Sequence, residues 1–127
     1  MAHMSLTEAE WSVMDALWER GGLTGREAAE LLRGRCGWSR STVLTLLGRL
    51  EAKGAVSGET EGGVKVYRPL ASREDAAVSE TRDFLGRVYK GSVSLMLSAM
   101  TRKQALSREE IDELYELLRG LEAKDGA

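Results

Sequence analysis

Apolar residues recur at helical spacing through most of the chain, and glycine marks the breaks in that pattern. Trp11, Met14, Leu17 and Trp18 share one face, which predicts a first helix over residues 8–19, ended by Gly21-Gly22. Ala28, Leu31 and Leu32 predict a short second helix over 25–33. Gly34 and Gly37 are expected to bracket a connection that holds Cys36. Val43, Leu46, Leu47 and Leu50 fall at i, i+3, i+4 and i+7. A third helix starting after Ser39 therefore carries one apolar stripe, with Gly54 placed as its left-handed C-cap.

The period then changes. Ala55-Val56-Ser57 and Val64-Lys65-Val66-Tyr67 read as short strands around a Glu61-Gly62-Gly63 turn, a β-hairpin closed by Pro69, the single proline. From Ser72 the helical period returns. Val78, Phe84, Leu85 and Val88 predict a helix over 73–89, broken by Gly91. Residues 92–100 are apolar on nearly every face, so a helix there is expected to be buried on more than one side. Ile111, Leu114, Leu118 and Leu121 form a narrow seam on a last helix over 108–122, flanked by Tyr115 and Leu117.

Helix starts are marked independently of hydrophobicity. Thr7/Glu10, Thr24/Glu27 and Ser107/Glu110 have capping-box spacing, in which two orphan backbone donors are satisfied reciprocally; Ser72/Asp75 is a weaker version. Three helices and a hairpin in some 65 residues are the layout of a winged helix-turn-helix. The expected fold is mainly α with a small β-hairpin wing: a winged helix-turn-helix over 5–70, then a C-terminal helical dimerisation region over 71–127. Residues 1–4 (MAHM) read as a cloning scar, with Met4 as the native start.

Composition narrows the function classes. The chain of 127 residues is 43% hydrophobic and 30% charged, a soluble globular composition of about one domain's length. No run approaches the ~18–20 apolar residues of a membrane span, and no signal-peptide layout is visible, so no membrane partner and a cytoplasmic location are expected. The single cysteine, Cys36, cannot form an internal disulfide, in keeping with a reducing compartment. The single histidine, His3, lies in the suspected scar. That inventory excludes zinc sites, Cys/His nucleophile pairs and Ser-His-Asp triads, so no enzyme, metal or cofactor is expected. Cys36 beside Arg35 reads as an inert thiol before it reads as an oxidation sensor.

Average charge argues against nucleic acid, because the net charge is −2. Its distribution does not. Between residues 33 and 53, Arg33, Arg35, Arg40, Arg49 and Lys53 face Glu51 alone. With the apolar stripe of the third helix turned inward, Arg40, Ser41, Thr42, Leu44, Thr45, Gly48 and Arg49 point outward. Arginine can hold phosphate or guanine, and threonine offers a hydroxyl and a methyl for thymine. Ser39, Ser41 and the helix N-terminus can hold phosphate through backbone N–H groups. The expected DNA-binding residues are Ser39, Arg40, Ser41, Thr42, Thr45, Arg49 and Lys65. An ordinary solvated helix face is the alternative. It normally favours Glu and Lys over Thr, a poor helix former, yet no acid occurs from Ser39 to Leu50. Trp38 fits either stacking beside a DNA backbone or locking the third helix to the core; Tyr67 suits wing-to-helix packing.

Several strings resemble a known family. Thr7-Glu8-Ala9-Glu10-Trp11, then Trp38-Ser39-x-x-Thr42-Val43-x-Thr45-x-Leu47-x-Arg49-Leu50-x-x-Lys53-Gly54, then Val66-Tyr67-x-Pro69, resemble the penicillinase-repressor family of the BlaI/MecI/CopY type. The similarity continues through Phe84-Leu85 and Gly91 to Glu109-Glu110-Ile111 and Glu113-Leu114-Tyr115. The resemblance implies a homodimeric repressor on AT-rich inverted repeats, near genes for β-lactam resistance or metal handling. It has departures. Leu44 stands where members often carry Gln, and Gly63 where an Arg is common at the wing. Members cut by a sensor protease carry an Asn-Phe pair where this chain has Ala99-Met100, and no cysteine cluster follows Cys36. The sequence identifies no upstream sensor.

The helical region is too small to enclose the apolar segment 92–100 by itself. A second copy would cover it, through Phe84, Val88, Val93, Met96, Leu97, Met100, Ile111, Leu114, Tyr115 and Leu118. The competing arrangement folds these helices back on the winged half. The competing function is a winged-helix protein-interaction module without sequence-specific DNA binding.

Overall fold

Side chains that satisfy backbone donors set the helix starts. The computed structural model describes residues 5–125; residues 1–4, read above as a cloning scar, lie outside the described residues. Helix α1 (Glu8–Arg20) opens on Thr7, whose hydroxyl accepts the Glu10 N–H at 3.1 Å while the Glu10 carboxylate accepts the Thr7 N–H at 2.8 Å. Strand β1 (Leu23–Thr24) runs into helix α2 (Gly25–Cys36), where Thr24 and Glu27 repeat the box at 3.1 and 2.9 Å. Ser39 caps helix α3 (Arg40–Lys53). Strands β2 (Val56–Glu61) and β3 (Val64–Pro69) follow, then α4 (Arg73–Tyr89), α5 (Val93–Arg102) and α6 (Arg108–Asp125). Ser107 and Glu110 complete their box at 3.1 and 2.9 Å, whereas Ser72 makes only the bond to the Asp75 N–H.

The described residues thus form six helices and one antiparallel sheet of order β1-β3-β2. The hairpin β2-β3 turns on Gly62 and Gly63, with φ of 58° and 81°. A two-residue loop whose twist matches its strands needs positive φ at both positions, which glycine adopts without strain. Leu23 pairs with Tyr67 and Thr24 with Val66, so the segment between α1 and α2 becomes a third strand.

Two expectations need correction. The second helix does not stop before Gly34: α2 takes in Gly34 and Cys36, and Gly37 alone is its left-handed cap. A glycine inside a helix costs about 1 kcal/mol against alanine, and the packing of Ala28, Ala29 and Leu32 on the core outweighs it. The sheet also has a strand that no alternation announced, because a two-residue strand is too short to show a period.

Contacts divide the chain into a unit ending at Asp83 and a unit beginning at Phe84. In the first, Val13, Met14 and Leu17 of α1, Leu32 of α2, Val43, Leu47 and Leu50 of α3, and Val56 of β2 fill the core. Trp11, Trp18, Trp38 and Tyr67 pack half-buried around it. The Trp18 indole donates to the Ala71 carbonyl at 2.9 Å, and Arg73 bonds Asp15 at 3.0 Å. In the second unit only Leu85 is buried among the described residues; the side chains of α5 are half-buried or exposed.

One buried charge joins the ends of α1 and α3. Glu10 is 1% exposed, and Lys53 donates to its Oε1 at 2.6 Å and to the Ser5 carbonyl at 2.8 Å. Burial works to raise the Glu10 pKa. The Lys53 hydrogen bond, the Thr7 N–H and the lysine charge outweigh it and hold the carboxyl below its ordinary value. A depressed folded-state pKa contributes stability that is complete above the unfolded value, about 4.3, and is lost as pH falls through the folded value. Lys53→Ala is therefore expected to cost about 1–3 kcal/mol at pH 7. Urea midpoints of the variant and the parent should converge when Glu10 is protonated; a difference that persists unchanged at pH 3 contradicts the assignment.

Candidate nucleic-acid interface

Helix α3 has one inner and one outer face. Val43, Leu46, Leu47 and Leu50 are at most 5% exposed, whereas Arg40, Ser41, Thr42, Leu44, Thr45, Gly48 and Arg49 are all exposed. The 3.6-residue period makes this a single decision: burying the four aliphatic residues turns the other seven outward. At the N-terminus, the Ser39 hydroxyl lies 3.1 Å from the hydroxyls of both Ser41 and Thr42 and accepts the Thr42 N–H at 3.3 Å. Ser41, Thr42, Thr45 and Arg49, floored by Leu46, line a shallow groove of about 240 Å³. Arg40 and Arg49 have no carboxylate partner among the described residues. The structure thus gathers Ser39, Ser41, Thr42, Thr45 and Arg49 on one surface and sets Arg40 at its edge.

Leu44 sits toward α2. A Cβ built on Gly25 would lie 2.9 Å from its Cδ2 atom, so the side chain leans over the start of that helix while remaining 38% exposed. Trp38 is half-buried against the core, and Cys36 is exposed in the last turn of α2. Neighbouring Arg35 bonds Glu19 at 2.5 Å rather than lying free beside the thiol.

Lys65 does not line that groove. It lies on β3, where its ammonium bonds Glu51 at 2.8 Å and lies 5.2 Å from the Tyr67 ring centroid. The Glu51 hydrogen bond holds the lysine above its ordinary pKa range. Arg68, the other wing cation, bonds Glu61 through both terminal nitrogens, and this holds the Glu61 carboxyl below its ordinary value. Both pairings span strands or distant segments, so spacing along the chain did not signal them. Each wing cation therefore has a carboxylate partner, unlike Arg40 and Arg49.

The second unit presents apolar side chains on all its helices. Phe84, Val88, Val93, Tyr115 and Leu118 are exposed, and Met96, Leu97, Met100, Ile111 and Leu114 are half-buried. The Phe84 and Tyr89 rings meet edge to face at 5.9 Å. Leu95, Leu117 and Leu121 extend this surface. Leu121 continues the 3-4-3 spacing of the seam, a signal already present in the sequence.

Comparison with known proteins adds an independent line. A family model described as penicillinase repressor matches residues 6–120. The penicillinase repressor of Bacillus licheniformis is 34% identical over 113 residues, covering 89% of this chain and 88% of that protein. The methicillin resistance regulatory protein MecI of Staphylococcus aureus is 28% identical, covering 89% and 92%. The solution structure of the DNA binding domain of the repressor BlaI superposes with a TM-score of 0.52 at 34% identity, over 56% of this chain and 87% of that one. The Bacillus licheniformis BlaI monomeric form, solved in complex with the blaP half-operator, gives 0.53 at 33% identity, over 57% and 89%.

Proposed function

This chain belongs to the penicillinase repressor family, and we propose that it is a homodimeric transcriptional repressor that reads an AT-rich palindromic operator with α3 and blocks transcription by occupying it. One observation carries the reading: the outer face of α3 bears Ser41, Thr42, Thr45 and Arg49 around a groove, with two unpaired arginines and no acid. In this reading α3 enters the major groove, Arg49 donates to a guanine edge or a phosphate, and Thr45 sets its methyl and hydroxyl against the base edges. Ser39, Ser41 and the first N–H groups of α3 take a phosphate oxygen, and Arg40 takes another. Lys65 joins them by exchanging Glu51 for phosphate. The relative solved on the blaP half-operator supports DNA as the partner.

Dimerisation supplies the second half of the affinity. The exposed surface of α4, α5 and α6 beyond Asp83 needs a cover, and a second copy offers the same surface by two-fold symmetry. Two α3 helices on one body then address half-sites about one helical turn, ~10 bp, or a multiple apart. Each half-site adds binding free energy without a second full loss of translational freedom. A protein-docking module is the second reading, favoured by the acid-paired wing; it predicts that no duplex binds at low salt.

Selection from a random duplex pool with purified protein is expected to return an inverted repeat. On that site, Arg49→Ala and Thr45→Ala should each cost about 1–3 kcal/mol and reduce the preference over random duplex. Equal losses on selected and random DNA would contradict base reading. Sedimentation equilibrium should give about twice the chain mass of 13.9 kDa, and Leu118→Glu should lower it. A single species of 13.9 kDa at micromolar concentration contradicts the dimer. Glu61→Gln should release Arg68 and steepen the salt dependence on random duplex by up to about one counterion; no change would leave the wing outside the interface.

A further inference from the structure

A second concentration of positive charge lies beside α3, in the cleft it forms with α2. Arg26, Ala29, Glu30, Arg33 and Arg40 line a cavity of about 170 Å³. Arg26 and Arg33 are seven positions apart on α2, two turns, and so share one side of that helix; Arg40 reaches the same cleft from the first turn of α3. Three guanidinium groups face one carboxylate. That carboxylate, Glu30, lies 3.7 Å from Arg26 with both side chains more than 70% exposed, so it constrains the arginine weakly. Arg33 and Arg40 have no carboxylate partner among the described residues. The positive end of the α3 dipole adds to the local potential. The volume equals that of about five or six liquid waters, room for a tetrahedral anion and part of its hydration.

The position of the cleft on α3 gives it a role. At 100° per residue, Arg40 lies at one edge of the outer face, Thr42 and Arg49 at the opposite edge, and Ser41, Thr45 and Gly48 between them. The arginine cleft and the hydroxyl-lined groove therefore flank the same face. A DNA groove is bounded by two sugar-phosphate strands. A helix that sets its outer face against the base edges brings its two flanks against those strands.

We propose that the Arg26–Arg33–Arg40 cleft seats a backbone phosphate of the bound duplex and so fixes the register of α3 in the groove without choosing sequence. This rests on the DNA-binding reading above. Guanidinium groups suit the task because each presents a planar fork of donors to phosphate oxygens. Ala29 keeps the floor of the cleft short, so that the arginine heads rather than aliphatic bulk meet the ligand. The wing cations, already bonded to Glu51 and Glu61, offer no comparable free donors.

The test uses the full chain, a mixed-sequence duplex of about three helical turns and the selected duplex, with binding followed by fluorescence anisotropy across a salt series. Arg26→Ala/Arg33→Ala is expected to bind both duplexes about tenfold or more weakly and to lower the slope of log affinity against log salt by about one. The preference for the selected site should stay at the parent value. Arg33→Gln removes the charge while keeping helix propensity, and should show the same direction if the double variant unfolds. Parental affinity and slope in folded variants would overturn the cleft while leaving α3 as the reader. A reduced preference would overturn the phosphate assignment in favour of a base contact. A parent chain that binds neither duplex would overturn the DNA-binding reading, and this inference with it.

Discussion

The burial of four aliphatic side chains on α3 is the constraint on which the rest depends. Val43, Leu46, Leu47 and Leu50 insert between α1, α2 and the sheet, and each is at most 5% exposed. A fully buried aliphatic side chain contributes about 1.5–3 kcal/mol relative to its exposed state, so rotating α3 about its axis would forfeit several such terms together. The helix is thereby locked in rotation, and its outer residues are presented by default. Its ends are fixed as well: the Ser39 cap begins it, while Gly54 and the Lys53–Glu10 bond end it against the start of α1. A surface meant to read another molecule needs this rigidity, because a contact displaced by an ångström loses most of its value.

Charge on this chain is organised by pairing more than by number. The net charge is −2, yet the cations of the wing and those around α3 differ in state. On the wing, Lys65 and Arg68 are bonded to Glu51 and Glu61. Around α3, Arg33, Arg40 and Arg49 have no such partner among the described residues. An anionic ligand approaching the wing must displace a carboxylate, whereas one approaching α3 meets free donors. Under the proposed function, that difference centres the DNA contact on α3 and the α2–α3 cleft.

Much of this was legible in the sequence, and the reasons are local. Capping boxes act over three residues and the α3 stripe over eight, so both are written in a single window of chain. The helix boundaries of α1, α3 and α4 and the Gly62-Gly63 turn follow from them. What was not legible depends on distant partners. Strand β1 exists because Leu23 and Thr24 meet Tyr67 and Val66, more than forty residues on. The extension of α2 through Gly34 and Cys36 overrides the local preference of glycine. Lys65 looked like a free cation because Glu51 is fourteen positions away on another element. Arg26 attracted no notice because only the packing of α2 on α3 places it with Arg33 and Arg40.

The central claim is that the outer face of α3 is the surface that meets duplex DNA. Amide and methyl NMR spectra recorded while the selected duplex is added test it most directly. The account predicts that the largest shifts fall on residues 39–49 and on Arg26 to Arg33, with the core methyls of Val43, Leu47 and Leu50 keeping their packing. Shifts confined to the wing or to the helices beyond Asp83, with residues 39–49 unperturbed by a bound duplex, would contradict it.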